Sequence, residues 1–173
     1  MGGEFVPLGC HSVYSLLWGT ASVEALCERA KEAGVSTLAL TDRTGLYGVL
    51  PFWEAARSVG IKPILGAHLP DPPSPAFLLA ADHRGYRRLA RVVTLYHSSH
   101  PHPPSRFRGN DGGWVQGNDG ECPGGKKVRT HPPEARGFSL LEALKEDRKG
   151  LVVLSPSVSF LDKLARASGT QDL

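Results

Sequence analysis

Residues 35–66 read VSTLALTDRTGLYGVLPFWEAARSVGIKPILG. Residues 36–42 are a short apolar run with the polar pair Thr41-Asp42 at its end, and residues 62–66 are a second such run. Both have the length and composition of strands buried on two faces. Between them, residues 46–59 are too long for a turn and too helix-prone for a third strand. Gly60 suits the left-handed position that follows a helix. Pro51 conflicts with a helix interior, where it would remove a hydrogen bond and clash, so the helix either begins near it or kinks there. The stretch therefore predicts a βαβ unit. Chemistry in such units gathers at the carboxyl ends of the strands, which places Thr41-Asp42-Arg43 and Gly66-Ala67-His68 where a site would be.

The bulk properties narrow the class. A chain of 173 residues with 40% apolar content is enough for one core. Its formal net charge of +3 permits nucleic-acid binding without arguing for it. The cysteines Cys10, Cys27 and Cys122 are odd in number and share no Cys-x-x-Cys spacing. That speaks against a disulfide scaffold or a zinc ribbon and fits a reducing cytoplasm. No run approaches the roughly 20 apolar residues that span a bilayer, and the N-terminus lacks the basic-then-apolar order of a signal peptide. A cytoplasmic chain without a membrane partner is expected.

Outward from the βαβ unit, residues 5–8 are a brief strand candidate running into the polar cluster Gly9-Cys10-His11-Ser12. Ser22 is placed to cap a helix whose apolar positions Val23, Leu26, Cys27, Ala30 and Ala33 fall at helical spacing, with Gly34 as its stop. Four prolines among residues 70–75 forbid a regular element. Residues 76–81 read as a buried strand, and Asp82 caps a helix reaching about Tyr96 with the stripe Tyr86, Leu89, Val93 and Tyr96. Arg84, Arg87, Arg88 and Arg91 recur on one side of it, as a surface for DNA phosphates or an acidic neighbour, or simply as a solvated outer face.

From residue 98 to 137, Gly and Pro supply about a third of the positions and no periodicity survives, so a flexible or disordered insert is predicted. Its repeated Gly-Asn-Asp-Gly, at residues 109–112 and 117–120, is too short for a calcium-binding roll. His97, His100, His102 and His131 read as solvated histidines rather than a metal cluster. Ser139 and Glu142 have capping-box spacing for a helix to about Arg148; the strand 151–154, the turn Ser155-Pro156-Ser157 and a last helix 160–167 follow. Strands alternating with helices at this rate predict a parallel α/β fold.

Three linked blocks then carry a resemblance. His11-Ser12-Val13-Tyr14-Ser15-Leu16-Leu17-Trp18-Gly19, Ala39-Leu40-Thr41-Asp42 with Leu46-Tyr47-Gly48, and the run 60–66 are similar in order and spacing to the N-terminal PHP (polymerase and histidinol phosphatase) domain of the bacterial DNA polymerase III alpha subunit. Leu78-Leu79-Ala80 with Gly85-Tyr86-Arg87-Arg88-Leu89 continues the likeness, and residues 150–155 resume it beyond the insert. The resemblance implies a partial, distorted (β/α)7 barrel of parallel strands with outer helices: residues 1–97 its first part, 98–137 an insert, 138–173 its continuation. An open barrel fragment leaves an edge strand and part of an apolar face uncovered, which invites association.

Active members of the family hold two or three metal ions in clusters of His, Asp and Glu at the strand ends, which polarise a phosphoryl oxygen and activate water. Position by position, the resemblance leaves His11, Asp42 and His68 as metal-ligand candidates for zinc, manganese or magnesium. Gly9-Cys10-His11 stands where His-x-His is usual, Trp18 where an acidic residue is usual, Arg43 in place of a histidine, His68 in place of a glutamate and Ser157 in place of a cysteine. No catalytic residue and no cofactor is expected from so reduced a set. The function it implies is a scaffold in DNA replication or repair that packs on a polymerase core or a proofreading subunit. The alternative is a metal-dependent phosphoesterase or 3′–5′ exonuclease.

Overall fold

The computed structural model describes residues 5–70, 74–99, 138–146 and 148–167. Helix α1 (Val23–Glu32) starts where Ser22 accepts the amide of Ala25 on its side chain. Strand β1 (Thr37–Arg43), helix α2 (Val49–Val59) and strand β2 (Lys62–Leu69) form the βαβ unit. Pro51 is the third residue of α2, where its missing N–H is one of the orphans of a helix start, so the helix begins late rather than kinking. Gly60 ends α2 at a φ of 83°. Strand β3 (Ala76–Ala80), helix α3 (His83–Ser99), helix α4 (Leu140–Glu146), strand β4 (Leu151–Leu154) and helix α5 (Val158–Ala167) follow. Asp82 caps α3 through the Gly85 amide at 2.7 Å, and Ser157 caps α5 through the Phe160 amide at 3.4 Å. Helix α3 runs through Ser99, two residues into the stretch assigned to the insert; the Gly-Asn-Asp-Gly repeats, Cys122, His100, His102 and His131 lie outside the described residues.

The sheet order is β1-β2-β3-β4. Among the described strands, β1 and β2 pair in parallel while β2 with β3 and β3 with β4 are antiparallel, so the expectation of parallel strands throughout is corrected to a mixed sheet. The reason is the length of the connection between Leu69 and Ala76, too short for the dozen or more residues that a parallel crossover requires. Residues 5–8 form no strand of their own. They run along the outer edge of β1, where Ala39 and Thr41 donate their amides to the carbonyls of Pro7 and Cys10 at 3.0 and 2.8 Å, with a bridge at Cys10 and Leu40.

Because side chains alternate along a strand, the register sorts the sheet into two faces. One carries Leu38, Leu40 and Asp42 of β1, Ala67 and Leu69 of β2, Ala76 and Leu78 of β3 and Val153 of β4. Two buried clusters cover it. Cys27, Phe52, Ala56 and Ile61 pack on Leu38 and Leu40, and Leu89 and Val93 of α3, Leu144 of α4 and Phe160 of α5 pack on Ala67, Leu69 and Leu78. The opposite face carries Arg43, His68, Phe77 and Leu154 in a single cross-strand row.

Candidate functional site

Asp42, the penultimate residue of β1, lies on the helix-covered face and is 2% exposed. Its Oδ1 accepts the Ser12 amide at 2.7 Å and the Ser15 hydroxyl at 2.6 Å, and its Oδ2 accepts the Ser12 hydroxyl at 2.8 Å. The serine oxygens are used twice: Ser12 Oγ accepts the Tyr14 amide at 3.3 Å and Ser15 Oγ accepts the Arg43 amide at 2.9 Å. This network fastens the 12–19 loop onto β1. The start of α2 closes over it, since a Cβ on Gly48 would stand 2.6 Å from Asp42 Oδ2. A helix N-terminus beside a carboxylate is a favourable pairing.

One position further along, the row on the other face is cationic and aromatic. His11 Nε2 lies 3.3 Å from His68 Nδ1, so the structure brings these two candidates together. His68 stacks on Phe77 with ring centroids 4.4 Å apart and planes 15° apart. The Arg43 guanidinium lies 4.3 Å over the Trp18 ring, itself 6.3 Å from the His11 ring. Arg43 and Trp18 thus meet as a cation–π pair. Burial is the first cause that lowers the pKa of His11; Asp42 opposes it and Arg43 adds to it. Burial also leads for His68, followed by the neighbouring His11 and Arg43, again lowering. Both imidazoles are thereby favoured as neutral rings. Burial pushes the Cys10 thiol up, which leaves a neutral thiol next to His11 in the chain.

The donor set does not fit a cluster of two or three divalent ions. Such ions need converging anionic or neutral donors, whereas here the carboxylate oxygens are taken by the serines and a fixed positive charge stands beside the histidines. Among the described residues, no group of three His, Cys, Asp or Glu side chains is arranged to hold a metal. Ser157 serves the α5 cap. Arg84, Arg87 and Arg91 are exposed and Arg88 is half-buried, all on α3 and away from this row.

Sequence reasoning missed Ser12 and Ser15 as the partners of Asp42, although both lay inside the quoted motif; only their hydroxyl chemistry hinted at it. It also grouped His97 with solvated histidines. His97 is half-buried, and its Nε2 hydrogen-bonds the Thr44 carbonyl, pinning the β1–α2 loop to α3.

The fold and this site define an α/β domain whose polar residues gather at the carboxyl ends of two parallel strands. The chain belongs to the PHP domain family, which matches residues 7–167. It is 41% identical over 104 residues to the error-prone DNA polymerase of Mycobacterium bovis, a match over 54% of this chain and 10% of the polymerase. It is 44% identical over 107 residues to the error-prone DNA polymerase of Cutibacterium acnes, covering 53% of this chain and 9% of that one. With the DNA polymerase III subunit alpha of Halalkalibacterium halodurans it shares 39% identity over 97 residues, covering 53% and 9%. The chain therefore spans at most a tenth of these relatives' length and is related to their PHP region. A solved structure from Bifidobacterium adolescentis, described as a candidate metal-dependent phosphoesterase, matches with a TM-score of 0.46 at 20% identity, over 58% of this chain and 36% of that one. Among the described residues, no helix is long and apolar enough to cross a membrane.

Proposed function

We propose that the chain is a non-catalytic PHP-type module of DNA replication or repair, an interaction scaffold rather than a phosphoesterase. The observation that carries this reading is the commitment of Asp42 to Ser12 and Ser15, with Arg43 held on Trp18 beside the imidazole pair. These contacts brace the strand ends in place of bridging ions. The partners proposed are a polymerase core or a proofreading subunit, and the arginines of α3 offer a DNA-facing surface. Two measurements test the reading together: co-purification of the folded chain with a polymerase core, and turnover of a phosphodiester in manganese or zinc. Association without turnover is expected. Turnover abolished by His11→Ala would overturn it.

The second reading is a metal-dependent phosphoesterase or 3′–5′ exonuclease with a reduced site. One observation favours it: His11 and His68 are adjacent and both held toward the neutral form that a metal requires. Elemental analysis after dialysis distinguishes the two, since this reading needs a stoichiometric divalent ion that His68→Gln removes.

A further inference from the structure

The charge balance at the strand ends is the reverse of what a cation cluster needs. Arg43, His68 and Phe77 are register neighbours on one face, His11 stands against His68, and Trp18 carries the guanidinium. Asp42, the carboxylate next in sequence, alternates to the other face and is spent on three hydrogen bonds. We infer that this row is an oxyanion site, in which Arg43 and the imidazole pair hold a phosphate group directly, without a metal ion, and Trp18 offers its ring to the base of a nucleotide or strand terminus.

The inference rests on the interaction-module reading and names the ligand of that same place. Its chemistry follows from the donors. The Trp18 ring fixes where the guanidinium lies but supplies no oxygen acceptor, and a guanidinium fork matches two phosphate oxygens bidentately. Each imidazole carries at least one N–H in either protonation state, and the mutual contact uses only one, so at least one N–H of the pair remains to donate. Trp18 keeps 60% of its surface exposed, enough for a base to stack on it, and base stacking on an aromatic face is tolerant of sequence. A divalent ion on the imidazole pair would sit beside the fixed charge of Arg43, and one that drew on Asp42 would also compete with its serines; a phosphate meets neither obstacle.

The experiment is isothermal titration calorimetry of the full 173-residue chain in EDTA. The probes are inorganic phosphate, a nucleoside monophosphate, and a single-stranded oligothymidylate with and without a 5′-phosphate. Tighter binding of the phosphorylated strand than of its unphosphorylated twin, by about tenfold, is expected from a charge-assisted bidentate contact. Arg43→Gln should abolish that difference and Arg43→Lys should recover part of it, each variant being checked for folding by circular dichroism. Trp18→Ala should weaken the nucleotide and the oligonucleotide while leaving inorganic phosphate unchanged; inorganic phosphate binding as tightly as the phosphorylated strand would overturn the stacking role. Equal affinity for the two strands, or an Arg43→Gln variant that binds as the parent does, would overturn the phosphate site. A phosphate effect seen only after manganese or zinc is added would overturn it too, and with turnover would overturn the interaction-module reading as well. Absent binding without turnover overturns this inference alone.

Discussion

Asp42 shows what burial demands of a carboxylate at a strand end. At 2% exposure it has three donors within 2.8 Å, and two of them come from serine hydroxyls that are 0% and 1% exposed. Removing the acceptor strands those donors in the interior, which costs more than the bonds themselves contribute, so Asp42→Ala should lower stability by about 2–4 kcal/mol in urea denaturation. Ser15→Ala, which loses one bond to Asp42 and leaves the Arg43 amide unpaired, should cost about 1–3 kcal/mol. A change below about 0.5 kcal/mol for Asp42→Ala would contradict the network. The imidazoles make a second residue-scale prediction. Both folded-state pKa values lie below the ordinary one, so the unfolded chain binds protons more readily than the folded chain. This contribution is fully present above about pH 6.5 and is lost as pH falls from there through the folded values. Unfolding midpoints from pH 8 to pH 5 should therefore decline, and the decline should flatten in the double variant His11→Gln/His68→Gln.

At the scale of elements, position within α2 outweighs general helix preference. Gly48 is the N-cap of α2, where alanine is a poor substitute for glycine, and an alanine Cβ there would also meet Asp42 Oδ2 at 2.6 Å and Tyr14 at 2.9 Å. Gly48→Ala should therefore lower the melting temperature. Pro51→Ala should be nearly neutral, because the N–H it restores has no partner in the first turn. Thermal melts of the two variants check both expectations side by side, and a stabilised Gly48→Ala would show that the carboxylate does not hold the helix start. The sheet obeys the same logic of context over preference: β3 has the apolar run of a buried parallel strand and pairs antiparallel because its connection is short.

At the scale of the molecule, two helix-covered clusters share one face of a four-stranded sheet, and Phe138, just ahead of α4, packs against the cluster that includes α3. Tyr96 near the end of α3 meets Phe138 edge-on at 5.3 Å between ring centroids, so the described residues on either side of residues 100–137 are neighbours in space. Loop closure depends only weakly on length, about 0.6 kcal/mol per doubling. Replacing residues 100–137 by a short Gly-Ser linker should therefore leave the circular dichroism melt within a few degrees of the parent. A collapse of the melt would mean that the segment packs on the domain. The strand β4 is an edge of the sheet, and Val152 is 46% exposed on the face opposite the helices.

Local chemistry made much of this legible from residues alone. The caps at Ser22, Asp82 and Ser139, the stop at Gly60, the βαβ unit and the strand 151–154 depend on neighbours within a few positions, so periodicity and turn chemistry suffice to read them. The membership in the PHP family was equally readable, because the stretches that carry the resemblance, residues 11–19, 39–48 and 60–66, all lie within the matched span 7–167. Tertiary structure alone decided which face each strand-end side chain takes. Asp42 and Arg43 are adjacent in sequence, but pairing with β2 sends one under the helices to Ser12 and Ser15 and the other to Trp18 and the row of His68. Strand direction was likewise settled by the Leu69 to Ala76 connection, since an apolar run carries no information about the strand beside it.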